Sequence, residues 1–165
     1  MKTGKAGIDL ITHFEGCHKM VGKDRYVPYK CPAGLWTIGY GTLIGDGKTL
    51  PKEWDRVFTL DECKSLFAQG LRSKERGVER LITYPLTQNQ FDCCVSVAYN
   101  FGLGFLQRST FRQKINRGDF EGAANVLLKY NKAKDPKTGV YKELRGLTRR
   151  RQAEVNLLLL NKELS

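Results

Sequence analysis

The sequence predicts an α+β domain that is mainly α. Three observations predict it. A Gly- and aromatic-rich stretch from Gly22 to Pro51 holds two short strand-like runs and a turn signal. A helical period then runs unbroken from Leu60 to about Ile82. Beyond it, capped helical segments follow one another to the C-terminus. The expected organisation is a single domain over 1–165, with an N-terminal lobe (1–59), a connecting helix (60–84) and a helical C-terminal lobe (85–165).

The elements follow in order. Lys5 to Glu15 reads as a short amphipathic helix, with Ile8, Ile11 and Glu15 on one face and Gly16 as its stop. Tyr26-Val27-Pro28-Tyr29 and Leu35 to Tyr40 read as strands, and Gly45-Asp46-Gly47 as a turn. Thr59-Leu-Asp-Glu62 is a capping box. Cys63, Leu66, Phe67, Gly70, Leu71, Val78 and Leu81 then keep the helical period. Pro85 ends that helix, and Thr87 to Gln90 forms a second capping box with a Leu86–Phe91 staple. Phe91, Cys94, Val95, Ala98 and Tyr99 mark the next apolar face, which Gly102 and Gly104 interrupt. Ser109 or Thr110, then Asp119, then Thr148 are expected to cap the remaining helices.

Hydrophobic content of 41% and charged content of 27% are ordinary for a soluble globular protein. The longest apolar candidate, Val155 to Leu160, is interrupted by Asn156 and is too short to span a bilayer. Met1-Lys-Thr-Gly-Lys5 has no apolar signal region, so synthesis in the cytosol is expected. Five cysteines, two of them adjacent, make no disulfide framework and no metal-ligand spacing. Reduced thiols are expected, with Cys63 and Cys94 on apolar helical faces. The net charge is +11, and nine Lys or Arg stand against two acids between Lys129 and Arg151. Such a patch points to a polyanion or to a solvated basic face. No nucleic-acid-binding signature accompanies it. Gly47-Lys48-Thr49 fails as a phosphate loop because Thr42 stands where the first Gly is required. His13 and His18 form no metal site, and no cofactor is implied.

Glu15 carries the chemistry. At the negative end of a helix and half among apolar groups, its charged form is disfavoured, as a general acid requires. An ordinary surface glutamate on a last turn is the competing reading. Strand alternation places Trp36, Ile38 and Tyr40 on one face and Thr37 on the other, with Gly39 and Gly41 leaving room for a ligand or a backbone.

Phe14-Glu15-Gly16 and Tyr29-Lys-Cys31-Pro-Ala-Gly-Leu-Trp-Thr37-Ile-Gly-Tyr-Gly41 resemble the phage-type (T4-like) lysozymes, glycoside hydrolase family 24. The resemblance continues through Pro85 to Phe91, Ala98 to Gly102, Ser109 to Phe111, Gly118 to Ala124 and Gly146 to Glu154, and so covers most of the chain. It implies a two-lobe lysozyme-like fold with the active site in the cleft between the lobes. It also implies an endolysin, an N-acetylmuramidase acting on the β-1,4 bond of peptidoglycan.

The family triad of Glu, Asp or Cys, and Thr carries over to Glu15, Cys31 and Thr37. Fifteen residues separate Glu15 from Cys31, an insertion relative to the family. Spacing from Glu15 alone would select Asp24, whereas the motif around Cys31 and its gap to Thr37 select Cys31. The resemblance implies inversion, with Glu15 donating a proton, Thr37 holding water and Cys31 orienting or deprotonating it. Cys31 as a covalent nucleophile, with retention, is the alternative. Leu43, Tyr99 and Thr110 are candidate substrate contacts by motif position. Thr42 departs from a common His.

The implied partners are peptidoglycan and, by charge, anionic envelope polymers. The resemblance further implies a monomer released through a separate holin, made in the host cytoplasm and acting in the periplasm. A non-catalytic wall-binding protein is the rival. A Cys17–Cys31 bridge that blocks the site until reduced is a further expectation, drawn from proximity alone.

Overall fold

The computed structural model describes residues 1–160. Among them run α1 (Lys5–Glu15), β1 (Met20–Gly22), β2 (Arg25–Tyr26), β3 (Tyr29–Lys30), β4 (Trp36–Ile38) and β5 (Thr42–Leu43). A 3₁₀ turn (Lys52–Trp54) leads to α2 (Leu60–Leu81), α3 (Gln88–Phe101), α4 (Leu103–Arg108), α5 (Thr110–Asn116) and α6 (Phe120–Leu128). β6 (Lys132–Lys134), β7 (Tyr141–Glu143) and α7 (Arg145–Leu158) complete them. The strands make three small antiparallel sheets, β1-β2, β3-β4-β5 and β6-β7. The fold is therefore mainly helical with a minor β part, as the sequence predicts. The last five residues of the expected C-terminal lobe, 161–165, lie outside the described residues.

The chain clusters into two compact units, one of Glu15–Ser73 and one of Met1–Phe14 with the chain from Lys74 on. The larger unit is helical. Its α3 is buried at every position from Phe91 to Ala98, so Cys93 lies inside as well as the apolar face read from periodicity. A helix covered all round is a central core helix.

Asp92 shows how α1 joins it. The first amides of a helix lack intrahelical acceptors. Here the Asp92 carboxylate accepts from the N–H of Gly4 (2.9 Å) and of Gly7 (3.2 Å). Gly7 permits that approach, because a Cβ there would lie 2.7 Å from Asp92 Cβ. Gly7 and Ile11 are thus the buried residues of α1, and Ile8 is 37% exposed. The inward face of α1 is rotated from the one the apolar spacing predicts.

The smaller unit has a thin core of Tyr26, Ile38, Ile44, Phe58 and Cys63, with Trp36, Tyr40, Leu50, Trp54 and Leu66 packed around it. Tyr26 and Phe58 exchange backbone hydrogen bonds of 2.8 and 2.7 Å, closing the sheet region onto the start of α2. Thr59 and Glu62 form the expected capping box there, each amide donating to the other's side chain.

Thr87 and Gln90 form the second box, and Ser109 and Asp119 cap α5 and α6. Thr148 does not cap α7. That helix starts a turn earlier at Arg145, since β7 runs straight into it, and Thr148 instead accepts from Asn131 Nδ2 at 3.1 Å. Gly102 ends α3 with φ 91°, but Gly104 lies within α4. Gly39 leaves no space for a ligand. Its φ is 62°, and Cys63 fills the room a side chain would take, 2.8 Å from an added Cβ.

Candidate active site

The three-stranded sheet builds the site. Tyr29 on β3, Thr37 on β4 and Leu43 on β5 lie directly opposite one another in register. Directly opposed residues of antiparallel strands share a face. Thr37 and Leu43, both expected at the site, are therefore neighbours, and Tyr29 joins them. Thr37 is 3% exposed, and its hydroxyl donates to the Leu35 carbonyl at 2.9 Å. Leu43 is 48% exposed.

Cys31 begins the loop between β3 and β4. Its N–H donates to the Leu35 carbonyl (2.9 Å) and its carbonyl accepts from Gly34 N–H (2.8 Å). Gly34 has φ 79°, a conformation that closes this loop without a Cβ penalty. Burial alone would push the Cys31 thiol up. Hydrogen bonds from the main chain at Leu35 and Ala33 outweigh it, with the neighbouring Thr37 hydroxyl contributing, and hold the thiol below its ordinary value.

Glu15 is the last residue of α1 and is half-buried. Gly16, at φ 66°, turns the chain there as predicted. His18 then folds back, its Nε2–H donating to the Glu15 carbonyl at 2.6 Å. The His18 ring meets the Tyr29 ring edge-on, with centroids 5.5 Å apart. Tyr29 donates its hydroxyl to the Gly39 carbonyl at 3.2 Å. Its phenol is pushed up to about 12, first by burial, then by the charges of Glu15, Cys17 and Cys31, with a Gly41 hydrogen bond opposing.

Tyr29 thus feels Glu15 and Cys31 together, and it sits beside Thr37. Glu15, Cys31, Thr37 and Leu43 all belong to the smaller unit. Sequence reasoning had Tyr29 only as part of a motif. Its place two residues before Cys31 on a short strand was the available signal.

Asp24 is occupied elsewhere. It is exposed, has φ 56°, and its carboxylate accepts from Leu60 N–H at 2.7 Å, at the start of α2. Tyr99 is half-buried on α3 and Thr110 is the exposed first residue of α5, both in the helical unit. The five cysteines are free. Cys17 hydrogen-bonds Cys63 and not Cys31, and burial pushes its thiol up to about 12. The expected Cys17–Cys31 bridge is therefore not formed in this structure.

A family model described as phage lysozyme matches residues 12–154. The chain belongs to the phage lysozyme family. As a member it is a glycoside hydrolase, an endolysin of the peptidoglycan-hydrolysing kind.

It is 36% identical over 163 residues to an endolysin of Bacillus phage B103, covering 96% of this chain and 54% of that one. It is 34% identical over 158 residues to an endolysin of Acyrthosiphon pisum secondary endosymbiont phage 1, covering 93% and 95%. The chain thus spans about half the length of the first relative and nearly all of the second. The solved muramidase domain of SpmX from Asticaccaulis excentricus superposes with a TM-score of 0.80 at 31% identity, covering 97% of this chain and 99% of that one.

Proposed function

We propose that this lysozyme is an N-acetylmuramidase that cuts the β-1,4 bond between N-acetylmuramic acid and N-acetylglucosamine, with Glu15, Cys31 and Thr37 as its catalytic groups. The observation that carries this reading is the gathering of all three around Tyr29 in one unit. Such a cut needs a proton for the leaving oxygen and a nucleophile on the opposite face of the sugar.

Glu15 donates its proton to the leaving oxygen as the bond to the anomeric carbon breaks. Thr37, whose own proton goes to the Leu35 carbonyl, keeps lone pairs to accept from a water. That water attacks the anomeric carbon, and its proton passes to the Cys31 thiolate. A thiol held below its ordinary value is thiolate in a larger fraction near neutral pH, which suits it as the base. The outcome is inversion. Leu43 beside Thr37 supports a saccharide contact there, while Tyr99 and Thr110 enter on motif position. Asp24, engaged at the start of α2, is the weaker middle residue.

The protein works as a monomer, on peptidoglycan in the periplasm, after synthesis in the host cytoplasm and passage through a separate holin. Its charge of +11 favours retention by anionic envelope polymers.

The test is release of reducing ends from purified Gram-negative peptidoglycan. Glu15→Gln is expected to lose about a hundredfold or more, the usual range for a general acid. Cys31→Ala loses less, and Asp24→Ala stays active. Full activity in Glu15→Gln sinks the assignment, and no activity in wild type points to a non-catalytic wall-binding protein. The anomer released, read by NMR, separates inversion from a covalent Cys31 intermediate with retention.

A further inference from the structure

The β6-β7 hairpin is the part of the helical unit with no core of its own. Residues 136–146 are all exposed. Val140, Tyr141 and Leu144 are 55%, 66% and 45% exposed. Two-stranded hairpins standing in water are marginal. This one is nonetheless well built. Asp135 N–H donates to the Val140 carbonyl at 2.9 Å and Gly139 N–H to the Asp135 carbonyl at 2.8 Å. The Asp135 carboxylate also accepts from Lys137 N–H at 2.8 Å.

The register fixes which side chains share a face. Lys132 opposes Glu143, Ala133 opposes Lys142 and Lys134 opposes Tyr141. Lys132, Lys134, Tyr141 and the exposed Glu143 therefore stand on one face, and Val140, Lys142 and Leu144 on the other. The charge is as one-sided as in the sequence, but smaller. Of the nine Lys and Arg between Lys129 and Arg151, Arg150 and Arg151 are buried with Glu154, which leaves seven at the surface. Of the two acids, Asp135 is already paired with Lys142 at 3.7 Å.

We propose that this hairpin docks the protein on an anionic phospholipid surface. Val140, Tyr141 and Leu144 enter the interfacial layer, and the lysines reach back to the headgroup phosphates. Three features favour lipid over other occupants. A soluble polyanion would engage the lysines and leave three large apolar side chains in water. A protein partner covers one face, whereas the apolar groups here stand on both faces of a thin ribbon, which a lipid interface can surround. Tyr141, the most exposed of them, has an apolar ring and a polar tip, the chemistry suited to a membrane–water boundary. Among the described residues no helix is long and apolar enough to cross a membrane.

The experiment is co-sedimentation of the whole protein with phosphatidylcholine vesicles, with and without phosphatidylglycerol. Wild type is expected to bind the anionic vesicles about tenfold or more tightly than the neutral ones, less so at high salt. A Val140→Ser, Tyr141→Ser, Leu144→Ser triple variant is expected to lose about tenfold on anionic vesicles and nothing on purified peptidoglycan. Lys132→Gln with Lys134→Gln is expected to lose vesicle binding as well. Equal binding by the triple variant and wild type overturns the proposal and leaves a polyanion surface. Equal binding of wild type to both vesicles overturns it too. Single Val140→Ser and Leu144→Ser variants keep the test decisive if circular dichroism shows the triple variant unfolded. Reducing-end release by the same variants reads catalysis separately, and no change is expected there.

Discussion

In the helical unit, Glu154 lies fully buried between two arginines, its Oε2 3.4 Å from Arg150 Nε and its Oε1 2.6 Å from Arg151 Nε. The second contact pairs charges without the alignment of a hydrogen bond. Ser96 donates to the same carboxylate, and Arg151 reaches on to Asn100 at 2.8 Å and the Tyr130 carbonyl at 3.3 Å. In the smaller unit, Thr37, Tyr29 and Cys31 are tethered chiefly to main-chain groups. Side chains locked to one another specify packing and have nothing left to offer. Side chains held by the backbone are placed just as firmly, yet keep lone pairs and a tunable thiol for something from outside. The first arrangement fixes packing, and the second suits the catalytic roles proposed for Cys31 and Thr37.

The largest expected effect that tests this contrast is in the thiols. Burial and the Glu154 charge push Cys94 up to about 12, and burial pushes Cys93 well up. Cys31 is shifted the other way. At pH ~8 the Cys94 thiol is thiolate at only about one part in ten thousand and Cys93 is suppressed in the same direction, so iodoacetamide should label Cys31 first and spare Cys93 and Cys94 until unfolding. Mass spectrometry of the labelled peptides reads this, and early labelling of Cys94 would show that burial does not protect the thiols of the helical unit. The linkage has opposite signs for Cys94 and Cys31, and Cys17 of the smaller unit, also pushed up to about 12, shares the sign of Cys94. A raised thiol stabilises below its unfolded value near ~8.5 and loses that stability as pH rises towards its folded value. A lowered thiol stabilises above its unfolded value and loses this as pH falls through its folded value. Unfolding free energy should therefore decline above pH ~8.5, and less steeply in Cys94→Ala.

Next in size is Glu154→Gln. It leaves two buried guanidinium groups without their carboxylate, and removing one member of a buried pair costs about 3–5 kcal/mol. Urea unfolding measures it. A loss under about 1 kcal/mol would mean that the network relaxes and does not lock the helices.

Gly39→Ala probes the smaller unit. Its Cβ would press on Cys63 in a left-handed backbone, an expected loss of about 1–3 kcal/mol. Gly45→Ala, also left-handed (φ 58°) but facing open space, should lose only about 1 kcal/mol. Equal losses would show that strain alone, without core contact, fixes Gly39.

Most of what was legible was local. The capping boxes at Thr59 and Thr87 and the stop at Gly16 need only neighbours in sequence, so their residue types announced them. Cys31 and Thr37 were legible because a hairpin brings close what is already close in sequence. Asp92 was not. It caps α1 from more than eighty residues away, and an acid within an apolar helix gives no sign of which amides it will meet. Gly39 misled for a related reason. A glycine marks close approach, but its spacing does not say whether a ligand or Cys63 comes near. The β6-β7 hairpin went unread because its residues are charged and exposed, without the apolar alternation that marks a buried strand.

The smallest expected effect is at Thr42 on β5. Its hydroxyl oxygen is buried with no hydrogen-bond partner among the described residues. An unsatisfied buried hydroxyl costs stability, and replacing it by an apolar group of the same shape removes the cost. Thr42→Val is therefore expected to be neutral or to stabilise by up to about 1 kcal/mol, read as a small rise in Tm with unchanged reducing-end release. Such a result would sharpen the contrast. The helical unit would then pair its deeply buried charges, even where Arg151 Nε and Glu154 Oε1 lack hydrogen-bond alignment, while the smaller unit tolerates an uncharged polar atom without any partner one strand from Thr37. A loss of about 1 kcal/mol or more would reverse the inference. It would mean that an ordered water serves Thr42 in solution, and that the unit carrying Glu15, Cys31 and Thr37 satisfies its polar groups through solvent.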